Sequence, residues 1–239
     1  MVQHLDAPVK IRADLAALEG AVQERFPDLV LVARPDGVVA EGRVALFDAG
    51  RVADEYQVAV RLPPEHPAGY PVLFETGGRI PRVSDRHMEG NTGKCCVMAV
   101  DELHFRYPGG CDLLTVLSEP VTAFLISQTY YEAHDGWPFD AREHGLDGRL
   151  GFYAEQVGAK DTTVGLSVAM VVAGSSAGGG TKCPCGSGRP LRKCHRDVIR
   201  RLRDRIPQAL VADLIREVRD GVGHPKSGTK LRRRWWPTK

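Results

Sequence analysis

The sequence contains no run of about 18 apolar residues, so no segment reads as a bilayer-spanning helix. Its opening, Met1-Val2-Gln3-His4-Leu5-Asp6, lacks the basic-then-apolar order of a secretory signal. These two absences point to a cytoplasmic protein with no membrane partner. Cysteine is scarce: the 6 present fall into a doublet, a singleton and a tight trio. In a compartment where thiols stay reduced, that distribution argues against a disulfide framework and for separate tasks. No internal repeat is present.

What is present is a charge split. The formal net charge is only +2, yet residues 182–239 hold 17 Lys and Arg against 5 Asp and Glu, leaving 15 against 25 in the first 181. A basic module facing an acidic surface, a nucleic acid or the chain's own acidic body is implied. At 239 residues the chain is long enough for one full core plus a small appendage.

Ile11, Leu15, Leu18, Val22 and Phe26 recur at helical spacing before Pro27, which predicts an amphipathic helix over 9–26. Alternating stretches at Val38–Phe47 and Glu55–Leu62, separated by Asp48-Ala49-Gly50-Arg51, predict a hairpin. Pro63, Pro64, Pro67 and the Tyr70-Pro71 step end the second strand, and Val72–Thr76 forms a third, giving an antiparallel meander. Asp112 is placed to cap a helix through Leu117, with Pro120 kinking or restarting it before Val121–Gln128, and a further helix is expected over about Leu146–Val157. Ala173–Thr181 is rich in Gly, Ser and Ala, which marks a linker, assigned here to 161–181 between domains at 1–160 and 182–239.

A glycine-punctuated turn, Glu89-Gly90-Asn91-Thr92-Gly93-Lys94, leads into Cys95-Cys96. In an extended chain alternate side chains face opposite ways, so one cysteine is buried and one faces out. The bland reading is a pair of small buried hydrophobes. The functional reading is one nucleophilic thiol, for which Lys94 is the nearest stabilising charge. Cys111, after Pro108-Gly109-Gly110, reads as a packing residue.

Helix, meander, Tyr-Pro step, polar loop, Gly-x-x-Cys and crossover helix, over roughly residues 9–157, is an order that resembles the ubiquitin-conjugating enzymes. The resemblance implies an α+β fold and a nucleophile three residues after Gly93, which is Cys96, with Cys95 in the place of a buried aliphatic. The family's His-Pro-Asn tripeptide has its nearest counterpart in His87-Met88-Glu89, where only the histidine matches; Asn91 is the substitute amide donor. Gly78-Arg79-Ile80-Pro81 followed by Asp85-Arg86-His87 looks like the divergent bacterial members. By this resemblance Cys96, His87 and Asn91 are the catalytic candidates. Cys96 would take the C-terminus of a ubiquitin-like protein as a thioester from an activating enzyme and pass it to an amine on a target protein, in a pathway serving antiphage defence. Asp101, Glu102, His104 and Asp112 are the titratable neighbours available to assist transfer. A catalytically inert scaffold of the same fold is the rival reading, favoured by the incomplete tripeptide.

Cys183-Pro184-Cys185-Gly186-Ser187-Gly188, then Cys194-His195, supplies three thiolates and an imidazole at a spacing that suits tetrahedral Zn2+. Four protein ligands leave no open position, so the zinc is expected to be structural. The string is similar to the SEC-C motif, a small recognition module. Arg196, Arg200, Arg201, Arg203 and Arg205 then line a helix ending near Pro207, a second helix is expected over Ala209–Arg219, and Lys230–Pro237 closes the chain with arginines and tryptophans. That tail suits an acidic protein partner; nucleic acid, as an adaptor's ligand, is the weaker candidate.

Overall fold

The structure, a computed structural model, describes residues 9–35, 37–138, 143–174 and 181–221. It is a mixed α+β chain in two compact units, Met1–Ala141 and Arg142–Lys239.

In the first unit α1 (Val9–Gln23) precedes a four-stranded sheet in the order β1 (Leu29–Arg34), β2 (Gly37–Asp48), β3 (Arg51–Leu62), β4 (Val72–Glu75). Every pairing is antiparallel, so the predicted meander is present. Leu15, Leu18, Val22 and Phe26 of the predicted stripe pack on the core; the side chain of Ile11 lies outside the described residues. The sheet has one strand more than the alternation indicates. β1 reads Leu-Val-Leu-Val-Ala-Arg, an apolar run without polar punctuation, and a period-2 test passes over it.

The hairpin between β2 and β3 closes through Ala49 and Gly50, at φ 47° and 78°, with Asp48 paired to Arg51. Positive φ at both central residues matches the right-handed twist of the flanking strands. Along β3, Tyr56, Val58, Val60 and Leu62 alternate into the core. They meet β2 in the register Val44 opposite Tyr56 and Ala40 opposite Val60. Gly42 of β2 is fixed by close approach: a Cβ there would lie 2.0 Å from the Asp28 carbonyl oxygen.

After β4 the chain runs through loops and one 3₁₀ turn, Ser84–Arg86, to α2 (Val100–Arg106) and α3 (Leu113–Val116). The Asp112 carboxylate accepts from the Thr115 amide at 3.0 Å, the predicted cap. Pro120 does not break the helix. A π-helical turn, Leu117–Val121, absorbs it and leads into α4 (Thr122–His134). Leu113, Leu117, Val121 and Leu125 close the core over the sheet.

The second unit corrects the expected domain limits. Thr162–Ala173, placed in the 161–181 linker by the sequence reading, forms α6. The segment is apolar enough to be buried: Val168, Ala169 and Val172 are buried, as are Leu150, Phe152 and Tyr153 of α5 (Gly145–Glu155), the helix α6 packs against. At the crossing Gly165 sits so close that a Cβ would lie 2.0 Å from the Leu150 carbonyl oxygen. α7 (Arg196–Arg205) and α8 (Gln208–Asp220) complete the unit at nearly the predicted limits. Arg203, read as part of a basic stripe, instead donates to the Val171, Val172 and Gly174 carbonyls at the C-terminus of α6, satisfying helix-end acceptors. Arg149 joins α5 to α8 through Glu217 at 3.1 Å and the Leu210 carbonyl at 3.0 Å. The linker residues 175–180 and the tail Lys230–Pro237 lie outside the described residues. Among the described residues no helix is long and apolar enough to cross a membrane.

Candidate functional site

The cysteine doublet is held by short backbone bridges rather than by a strand. Cys95 N donates to the Leu73 carbonyl at 2.9 Å, and Phe74 bridges Lys94, which extends the β4 edge by one rung. On the other side Met88 bridges Cys95, and Cys96 N donates to the His87 carbonyl at 2.8 Å. The extended geometry splits the pair as period 2 requires: Cys95 is buried and Cys96 exposed. Burial pushes the Cys95 thiol up to about 12, so it is inert packing at neutral pH. The Cys96 thiol is also pushed up by burial of its sulfur, with the Lys94 charge acting the other way.

His87 leaves the 3₁₀ turn in the left-handed region, at φ 54° and ψ 38°. A non-glycine residue there is held against local preference by its surroundings. Here the restraint comes from both neighbours. Met88 is buried, and Arg86, also buried, is gripped by α4: its Nε donates to Gln128 Oε1 at 2.8 Å, while Gln128 Nε2 donates back to the Arg86 carbonyl at 2.8 Å. The Arg86 guanidinium lies over the Tyr131 ring, 4.4 Å from its centroid, and reaches Glu132 at 3.4 Å. The result is that a His87 ring nitrogen and the Cys96 Sγ lie within 4.8 Å of each other.

A second clamp secures the loop upstream. Glu75, buried at the end of β4, accepts from the Gly78 amide at 3.0 Å and the Arg79 amide at 3.2 Å. Arg79 forks onto both oxygens of Asp54, pairs with Glu132 at 2.6 Å and covers the Tyr56 ring. Its hydrogen bond holds the Asp54 carboxyl down at about 2. Sequence reading noted Arg79 and Arg86 but not this network, because its partners lie far along the chain.

Of the three sequence-predicted catalytic residues, the structure brings together Cys96 and His87. Asn91 is exposed on the turn, and among the described residues no hydrogen bond ties it to Cys96. Glu89 does not face the thiol with a free carboxylate either: it accepts from the Thr92 hydroxyl at 2.5 Å, and its amide donates to the Lys94 carbonyl at 2.8 Å, closing the turn on itself. The other neighbours are engaged locally. Glu102 pairs with Arg106 at 2.8 Å along α2, and Asp112 caps α3. His104 Nδ1 lies 3.1 Å from the Tyr70 hydroxyl, which donates to the Tyr107 carbonyl at 2.8 Å. Cys111 is buried, its thiol pushed up to about 11 by burial.

In the second unit Cys183, Cys185, Cys194 and His195 converge, their ligand atoms all within 4.8 Å of one another, and form a site that could hold a metal ion. Gly186 and Gly188, at φ 80° and 70°, turn the backbone over the site, and a bridge between Lys182 and Pro190 closes its base. Cys185 and Cys194 sulfurs are 3.6 Å apart, and His195 Nδ1 lies 3.2 Å from Cys183 Sγ and 3.4 Å from Cys194 Sγ. A tetrahedral ion with metal–sulfur bonds of about 2.3 Å separates its sulfurs by about 3.8 Å, so the donor set fits. The Ser187 hydroxyl lies 3.2 Å from Cys185 Sγ and 3.4 Å from Cys194 Sγ, an outer contact that the sequence reading did not identify.

No protein-family model matches the chain, and neither a curated protein nor a solved structure does.

Proposed function

We propose that the first unit is a ubiquitin-conjugating-enzyme-like carrier that accepts the C-terminus of a ubiquitin-like protein as a thioester on Cys96. The observation that carries this reading is the split of the doublet, with Cys96 turned to solvent beside His87 and Cys95 turned into the core. In transfer from the activating enzyme, Cys96 Sγ bonds to the acyl carbon as the bond to the donor's sulfur breaks. A target amine later attacks that carbon, and the Cys96 thiolate leaves. The raised pKa of Cys96 leaves less thiolate for the first step and makes the sulfur a poorer leaving group in the second, so a neighbouring group that takes the thiol proton and later returns one matters in both.

The second unit is a recognition module whose Cys183, Cys185, Cys194 and His195 hold a structural Zn2+, on the donor chemistry and spacing above. When bound, the ion cross-links the turn to the start of α7 and supplies no reaction chemistry. The rival reading, an inert scaffold, is favoured by one observation: Glu89, nearest to the place of the tripeptide's asparagine, accepts from the Thr92 hydroxyl and as a carboxylate has no donor for an oxyanion at Cys96.

The test mixes the protein with candidate activating enzymes, ubiquitin-like proteins and ATP, and follows adducts on non-reducing gels. A reductant-sensitive adduct that forms with wild type and Cys95→Ala but not with Cys96→Ala is expected. Failure of any such adduct, or one indifferent to Cys96, assigns the domain to the scaffold reading.

A further inference from the structure

We propose that Trp137 is a positioning residue for the Cys96 thiol: its indole, anchored on α4, holds the His87 imidazole where it can exchange the thiol proton. This rests on the reading of Cys96 as the acyl-accepting residue. Trp137 lies just past the end of α4, and its ring meets the His87 ring edge-on, with centroids 4.9 Å apart at 82°. The indole also meets Tyr131, with ring centroids 5.0 Å apart at 62°, and Tyr131 in turn lies under the Arg86 guanidinium. The imidazole is therefore fixed twice by α4. Gln128 and Tyr131 hold Arg86 and so the unusual His87 backbone, while Trp137 holds the ring.

This arrangement is costly unless the ring has a task. A left-handed histidine with its ring packed on tryptophan gives up backbone and rotamer freedom that a surface loop ordinarily keeps. The ring nitrogen and the sulfur lie within 4.8 Å, near enough for a proton to pass between them directly or through one water. In acyl transfer the Cys96 proton passes to His87 as the S–C bond forms, and the imidazolium returns it to the departing donor thiolate. When an amine attacks, the same imidazole takes the amine proton and delivers it to the leaving Cys96 sulfur. Charge and protons balance in both directions without another reactant. Charged groups beside the pair include Arg86, directly before His87 and paired with Glu132, and Lys94, whose charge acts on the Cys96 thiol.

The experiment is a double-mutant cycle on the full zinc-loaded chain, reading iodoacetamide labelling of the Cys96 peptide by mass spectrometry across pH. His87→Gln and Trp137→Ala are each expected to slow labelling near pH 7 about 5- to 10-fold, Trp137→Phe by about 2-fold or less, and the double variant no further than His87→Gln alone. The wild-type rate–pH curve is expected to carry an imidazole inflection that both His87→Gln and Trp137→Ala lose. Additive slowing in the double variant, or no slowing with Trp137→Ala, overturns the proposal. Labelling of Cys95 in any variant reports that the loop has come apart. In that case the wild-type protein decides: its indole emission should titrate with an imidazole step that is missing in His87→Gln, and absence of that step also overturns the proposal. Because labelling needs no ubiquitin-like protein, a positive cycle with no thioester adduct would sink the conjugating reading while leaving the positioning intact.

Discussion

Gln128 and Arg86 form a reciprocal pair, the glutamine carbonyl accepting from Arg86 Nε and the glutamine amide donating to the Arg86 carbonyl, each at 2.8 Å. Both residues are buried, so neither can exchange its partner for water without opening the core. The pair ties α4 to the residue directly before His87, which makes the helix part of the setting of the Cys96 thiol.

Replacing Gln128 by Leu should therefore cost more than an ordinary surface change. Arg86 would keep Glu132, at 3.4 Å, but lose its shorter partner, and its carbonyl would lose its donor. A destabilisation of about 2–4 kcal/mol is expected in urea unfolding, together with loss of Cys96 alkylation selectivity over Cys95.

Acid should reveal the Arg79 clamp. The folded Asp54 carboxyl titrates at about 2 against 3.8 in the unfolded chain, chiefly because it accepts from Arg79. A folded pKa lowered in this way contributes stability that is fully present above pH 3.8 and is lost as pH falls toward 2. Asp54→Asn should remove about 1–2 kcal/mol of stability at neutral pH and flatten the stability curve over that window, read by urea titrations at several pH values.

Gly165→Ala tests whether α6 is core. With a Cβ 2.0 Å from the Leu150 carbonyl oxygen, α5 and α6 must separate, at a cost of about 1–3 kcal/mol. Gly20→Ala, where nothing lies within 4 Å, should be neutral or slightly stabilising. Equal thermal shifts for the two variants would contradict the packing of α6.

Metal removal should act on the second unit. Elemental analysis is expected to find one zinc per chain, lost in Cys194→Ser. Chelation should lower the thermal midpoint, and re-addition of Zn2+ should restore it. Because thiolates must lose protons to bind, zinc retention against a competing chelator should weaken as pH falls from 8 to 6, by at least about tenfold. Ser187→Ala, which removes the hydroxyl at 3.2 Å from Cys185 Sγ, should weaken retention without abolishing it.

Local chemistry was enough for much of this protein. The alternation of β2 and β3 around a two-residue turn, the Asp112 cap, the limits of α7 and α8, and the meeting of Cys183, Cys185, Cys194 and His195 all follow from residues within about one turn or one hairpin of each other. Period 2 also required that Cys95 and Cys96 face opposite ways. Which one faces the core was decided by the bridges to Leu73, Met88 and His87 on either side. Tertiary structure alone decided that Leu29–Arg34 is a strand, since its apolar run pairs only once β2 is there to receive it. It alone turned Thr162–Ala173 into a helix, because that segment is stable only against α5. The same holds for the setting of His87: Gln128, Tyr131 and Trp137 lie some forty or more residues away in sequence, and no spacing rule reaches across that interval. Their placement depends on how α4 packs over the sheet, which is settled by the burial of Leu117, Val121 and Leu125 rather than by anything beside the cysteines.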